Sequence, residues 1–202
     1  MEINFQDLFD TANLNPSNYQ YFHQLFDKRT IVFNKEIEQD VVESVYLPLK
    51  DFEEDDISTP VTLIINSLGG SVSDGFFLAD YIAQYKKKLN IIVLGYAASM
   101  AAIVLAGGGK NPNVIRKCYP SSYALIHDGY VAIQASEAKT ADDIMDFNKR
   151  VDGRIKEFFI TNTNITEEVY NEHSRRQWFL NAQELKTMGL VDEIIGVDNN
   201  DN

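Results

Sequence analysis

The chain has 202 residues, 45% of them apolar, enough to bury the core of one domain. Its 30 acidic against 18 basic residues give a formal net charge of -12, which argues against binding a nucleic-acid backbone. A lone Cys118 excludes an internal disulfide and a cysteine-based metal site, and no apolar run reaches the length of a membrane span or sits in the frame of a secretory signal, so a cytoplasmic protein is expected.

Residues 1–18 are polar and acidic without a strict period and read as an N-terminal arm. Tyr19, Phe22, Leu25 and Phe26 fall at helical spacing over 19–28, and Thr30 to Phe33 reads as a strand. Val41, Val42, Val45 and Tyr46 share one side of a helix over 40–47, which Pro48 is expected to bend or restart, and 51–56 reads as a charged loop. Val61 to Asn66 is a second, buried strand. The helix expected over 73–88 points Phe76, Phe77, Ala79, Ile82 and Ala83 inward and ends on Lys86-Lys87-Lys88, cations that suit a helix C-terminus. A third strand, Asn90 to Leu94, precedes an Ala-rich helix over 101–106 that three glycines close.

Strands are expected over 114–119 and 123–127. Thr140-Ala141-Asp142-Asp143 resembles a capping box opening a long helix to about Thr161, whose apolar positions are Ile144, Phe147, Val151, Ile155, Phe158 and Phe159. That face is wide for a helix covering only its own sheet, so part of it is expected to meet a partner subunit. Thr166 can cap a short helix to about Ser174, Trp178 to Leu180 reads as a strand, Asn181 with Glu184 caps a last helix ending at Gly189, and Leu190 to Ile195 closes as a strand. Residues 197–202 form a polar tail. Alternating strands and helices imply a layered α/β domain, over 19–196, with a mainly parallel sheet.

Ser99 lies where the third strand turns into a helix. There a hydroxyl can project while the first helical N–H groups lack internal partners, so a nucleophile and oxyanion donors can arise together; the same position also suits a plain helix cap. Of three histidines, His23 lies in the first helix and His173 in a polar, solvated helix end, whereas His127 closes an apolar strand and is the candidate base. Gly69-Gly70 after the second strand permits positive φ and close backbone approach. The Gly70 and Met100 N–H groups can then form a two-donor oxyanion hole above Ser99. Neither a Gly-x-Ser-x-Gly elbow nor a phosphate loop is present.

From about Tyr19 to Ile195 the chain resembles the Clp protease proteolytic subunit family. Asn66-Ser67-Leu68-Gly69-Gly70 is similar to its Asn-Ser-Pro-Gly-Gly segment, with Leu68 where Pro is usual. Gly95-Tyr96-Ala97-Ala98-Ser99-Met100 resembles its Gly-x-Ala-Ala-Ser-Met nucleophile segment, and Leu125-Ile126-His127-Asp128 its base segment. Phe179-Leu180-Asn181-Ala182 and Gly189-Leu190-Val191-Asp192 resemble the closing elements. The resemblance implies a layered α/β domain related to the crotonase fold with a protruding handle over about 130–161, and a serine endopeptidase with Ser99 as nucleophile, His127 as base, and Gly70 and Met100 as oxyanion donors. It further implies stacked heptameric rings, an axial-pore arm at 1–18, and an AAA+ unfoldase that hydrolyses ATP and delivers unfolded polypeptide; the chain itself needs no cofactor or metal. Gln177 stands where the family's third triad member is Asp; its carbonyl can orient an imidazole but cannot stabilise imidazolium as a carboxylate does.

Two other readings remain open at this level. One is a catalytically weak or inactive ring subunit that assembles with an active paralogue, motivated by Gln177. The other is a crotonase-like acyl-CoA enzyme, which also uses two backbone donors; Ser99 with His127 favours the peptidase. A Ser-Lys signal-peptide peptidase relative fits less well without a membrane segment.

Overall fold

A computed structural model describes residues 24–127, 138–173 and 176–197. The expected arm, His23, the segment between His127 and the long helix, Ser174 and the tail beyond Val197 lie outside them. The elements run β1 (Thr30–Phe33), α1 (Gln39–Glu54), β2 (Val61–Ser67), α2 (Val72–Ala83), β3 (Leu89–Ala98), α3 (Met100–Gly107), β4 (Val114–Cys118), β5 (Tyr123–Ile126), α4 (Ala138–Asn162), α5 (Glu167–His173), β6 (Trp178–Asn181), α6 (Ala182–Thr187) and β7 (Glu193–Ile194).

The main sheet has the order β1-β2-β3-β4-β7, all neighbours parallel. Its register aligns Ile31, Leu63 and Ile91 in one row, all buried, and Val32, Ile64 and Ile92 in the next, all half-exposed. This alternation marks one face packed on the helices and another left open, where Leu94, Ile115 and Tyr119 are exposed. Buried Arg116 ties the chain end to the sheet: its Nη2 donates to Asp192 Oδ1 at 2.7 Å and its Nη1 to Gly189 O at 2.7 Å.

β3 is longer than the apolar run suggested because it changes partners along its length. Leu89 to Val93 pair with Val114 to Cys118, while Tyr96 to Ala98 pair with Tyr123 to Leu125 of β5. At the handover the buried Ser122 hydroxyl donates to Val93 O (2.9 Å) and accepts from Gly95 N (3.3 Å). Opposite, Asn66 Oδ1 accepts from Tyr96 N at 3.2 Å across an irregularity in the β2–β3 ladder. These side chains satisfy backbone groups that the splitting strands would strand. The end of β3 thus joins β5 and β6, an antiparallel pair, and carries the chain to Ser99.

Several sequence expectations are corrected. α1 runs through Pro48 and takes in residues 51–54, expected to be loop. An interior proline costs about 3 kcal/mol, but Val45, Leu49 and Phe52 on this helix are buried, at about 1.5–3 kcal/mol each. α2 stops at Ala83, where Asn111 Nδ2 donates to Ile82 O (3.0 Å) and Tyr85 O (2.8 Å), so the three lysines lie beyond the helix. Lys87 binds Asp55 instead. Phe77 is exposed rather than inward, as is Phe147 of α4. α4 is already helical at Ala138, so Thr140 lies inside it rather than at its start. β7 covers only two residues of the strand expected over 190–195. The α6 capping box is present: Asn181 Oδ1 accepts from Glu184 N (3.0 Å) and Glu184 Oε2 from Asn181 N (2.8 Å). Among the described residues no helix is long and apolar enough to cross a membrane.

Candidate active site

Ser99 links β3 to α3 with φ 53° and ψ -123°, one of two described non-glycine residues at positive φ. A non-glycine residue persists there only where its surroundings hold it. Here Ser99 N donates to Leu125 O at 2.7 Å, and every residue of the following α3 is buried. The Ser99 side chain caps no backbone N–H, which removes the plain helix-cap reading. Met100 contributes the first N–H of α3, a group with no carbonyl partner within its helix.

The Gly69-Gly70 loop lies against this turn. A Cβ on Gly69, at φ 97°, would stand 2.7 Å from both Ser99 Cβ and Ala98 O. Gly70, at φ 147°, forms an isolated parallel bridge with Ile37, in which Ile37 N donates to Gly69 O (2.7 Å) and Ser71 N to Ile37 O (2.8 Å). Because those bonds use the neighbours of Gly70, its own N–H points away from Ile37. Ser67 fixes the loop from within: its Oγ donates to Lys35 O at 2.5 Å and accepts from Gly69 N at 3.2 Å.

Gly70, Ser99, Met100 and His127 line one cavity of about 90 Å³, with Val72, Ile103, Ile126, Ile155 and Phe159 as its apolar walls. His127 follows β5 directly, so the pairing of β5 with the end of β3 brings it to the same cavity as Ser99. It is the one titratable side chain among the described lining residues. Among the described residues no cluster of three or more His, Cys, Asp or Glu could hold a metal ion.

Gln177 is not brought into the described cavity lining, and its side chain is exposed. The β5–β6 register nevertheless aligns Leu125 with Phe179 and Ile126 with Trp178. Continued one step beyond its last pair, the same register would set Gln177 opposite His127. His173, expected to be solvated, is half-buried and stacks on Trp178 with centroids 4.4 Å apart and planes at 12°. Two wall residues, Ile155 and Phe159, read from sequence only as core positions of a helix; helical spacing identifies an apolar stripe but not the cavity it borders. Ile37 gave no sequence signal, because its role is made by backbone pairing across a loop.

A family model for Clp protease matches residues 13–198, a span that contains the serine turn, the glycine loop, His127 and Gln177. The chain belongs to the Clp protease family.

Proposed function

We propose that the chain is a serine endopeptidase subunit that cleaves unfolded polypeptide through an acyl-enzyme on Ser99. The observation that carries this reading is the shared cavity of Ser99, His127, Gly70 and Met100, beside a serine held at positive φ with its hydroxyl not used as a cap. Ser99 Oγ attacks the scissile carbonyl carbon while His127 takes the hydroxyl proton. The carbonyl oxygen becomes an oxyanion facing the N–H groups of Gly70 and Met100. Collapse of that intermediate breaks the peptide C–N bond as the imidazolium returns its proton to the leaving amine. Water, deprotonated by His127, then adds to the ester, and the acid product leaves with Ser99 restored. The apolar walls of the cavity suit an uncharged side chain next to the scissile bond.

In this reading Gln177, which precedes Trp178 as His127 follows its register partner Ile126, holds the imidazole only through its amide oxygen or not at all. That favours weaker activity than an Asp would give and keeps the assembly-subunit alternative in view. The Clp protease family generally forms oligomeric rings with AAA+ partners. We extend this to the chain: the open sheet face supports self-association into stacked heptameric rings, and an AAA+ unfoldase supplies substrate and hydrolyses ATP. A fluorophosphonate probe tests the chemistry. The expected result is a covalent adduct on Ser99 that is lost in Ser99→Ala and reduced in His127→Ala. No label at Ser99, even with an unfoldase and an active partner subunit present, would overturn the peptidase in favour of the assembly subunit.

A further inference from the structure

A groove of about 1050 Å³ runs between α2 and α4 and adjoins the Ser99 cavity, since Val72 and Ile155 line both. Its apolar wall comes from Phe76, Phe77, Phe147 and Val151. Phe77 and Phe147 are 45% and 59% exposed, an aromatic surface larger than scattered single side chains make. The floor is fixed. The Arg154 guanidinium lies 4.4 Å over the Phe76 ring and donates to Asp80 at 3.3 Å, while Phe76 meets Phe158 edge-on at 5.6 Å. A wall held by a cation–π contact, an ion pair and an aromatic pair is formed before any ligand arrives, which lowers the cost of binding. The charged groups of the groove balance, Arg150 and Arg154 against Asp80 and Asp152, so it selects for neither an acidic nor a basic occupant.

Resting on the peptidase reading, we propose that this groove is a second substrate subsite, which takes a large apolar side chain, aromatic above all, from a residue flanking the one seated at Ser99. Its continuity with the Ser99 cavity favours substrate over a second copy of the chain. Phe147, Val151 and Ile155 recur every four residues and form one stripe of α4 facing α2. Exposed Met145 lies off this stripe, about 120° round the helix from Val151, and does not line the groove.

The test needs no turnover. Full-length Ser99→Ala protein is titrated into fluorescein-labelled uncharged decapeptides that carry either one Phe or Ala at the same position, and binding is read by anisotropy. The Phe peptide is expected to bind more tightly. Phe77→Ala with Phe147→Ala should weaken it about tenfold, the size expected of two aromatic contacts, and leave the Ala peptide unchanged. Both rings are exposed, so thermal melting should stay close to that of the parent, and Phe147→Trp should retain tight binding. Equal affinity for the two peptides, no binding of either, or no loss in the double variant overturns the proposal. So does a double variant that changes sedimentation while keeping its affinity, which would assign the groove to a second copy. Because binding is measured without Ser99, failure of the fluorophosphonate experiment is told apart from failure of the subsite.

Discussion

Ser99 is held by both neighbours at once: Leu125 fixes its backbone N–H, and Gly69 lies so close that any side chain there would collide with Ser99 Cβ. Precision of this kind is what nucleophile positioning requires. At Gln177 the fit is looser. The exposed Gln177 amide can be replaced by a carboxylate with little effect on folding. Gln177→Asp is therefore expected to raise peptide hydrolysis by at least about tenfold, since loss of the triad charge costs about 10⁴-fold in an unrelated serine protease. The rise should appear in kcat rather than KM, with unchanged thermal stability. Equal rates for the two proteins would mean that another group orients His127.

At the level of elements, the turn between α1 and β2 depends on one ionic cluster. Arg29, buried and at φ 56°, binds the Asp55 carboxylate, donates to Thr59 O at 3.0 Å, and lies 4.6 Å over the Phe52 ring. Lys87 adds a second cation at 3.0 Å from Asp55. The Arg29 hydrogen bond, foremost, holds the Asp55 carboxyl at about 2, well below its ordinary range. A carboxylate lowered in the folded state contributes stability that is fully present above its unfolded pKa and is lost as pH falls through the folded value. Stability should thus decline between about pH 4 and pH 2, a window taken from the unfolded reference and the folded value. Urea midpoints measured across this range should fall less steeply for Asp55→Asn than for the parent; identical slopes would remove Asp55 as the cause.

For the whole molecule, the decisive feature is a sheet that, among the described residues, is packed by helices on one face only. Val32, Ile64 and Ile92 cross the other face in register, and Ile115 is 39% exposed beside them. Apolar rows of that kind are a surface for another chain. A charge placed there should block self-association while the fold survives, because Ile115 contributes little to the buried face. If the proposed rings form, Ile115→Glu is expected to shift the sedimenting species from assembly to single chains without lowering the melting temperature of the chain itself; an assembly that persists would exclude this face as the contact.

Local pattern made much of this legible. The alternation in β2 and the Asn181-Glu184 capping box each follow from contacts within a few residues, and so could be read directly. The serine turn was legible because an apolar strand feeding an Ala-rich helix leaves few other geometries for the residue between them. What the sequence could not decide was set by distant contacts. Burial of Leu49 and Phe52 outweighed Pro48, Asn111 ended α2, and the change of partners in β3 stretched that strand to Ala98. The same holds at the site. The sequence by itself determined the candidate groups of the proposed chemistry, Ser99, His127 and two backbone donors, together with Gln177. Only the tertiary structure decided that Ile155 and Phe159 wall the cavity and that His127 and Ser99 line it together, because strand pairing and helix packing join residues that no local period connects.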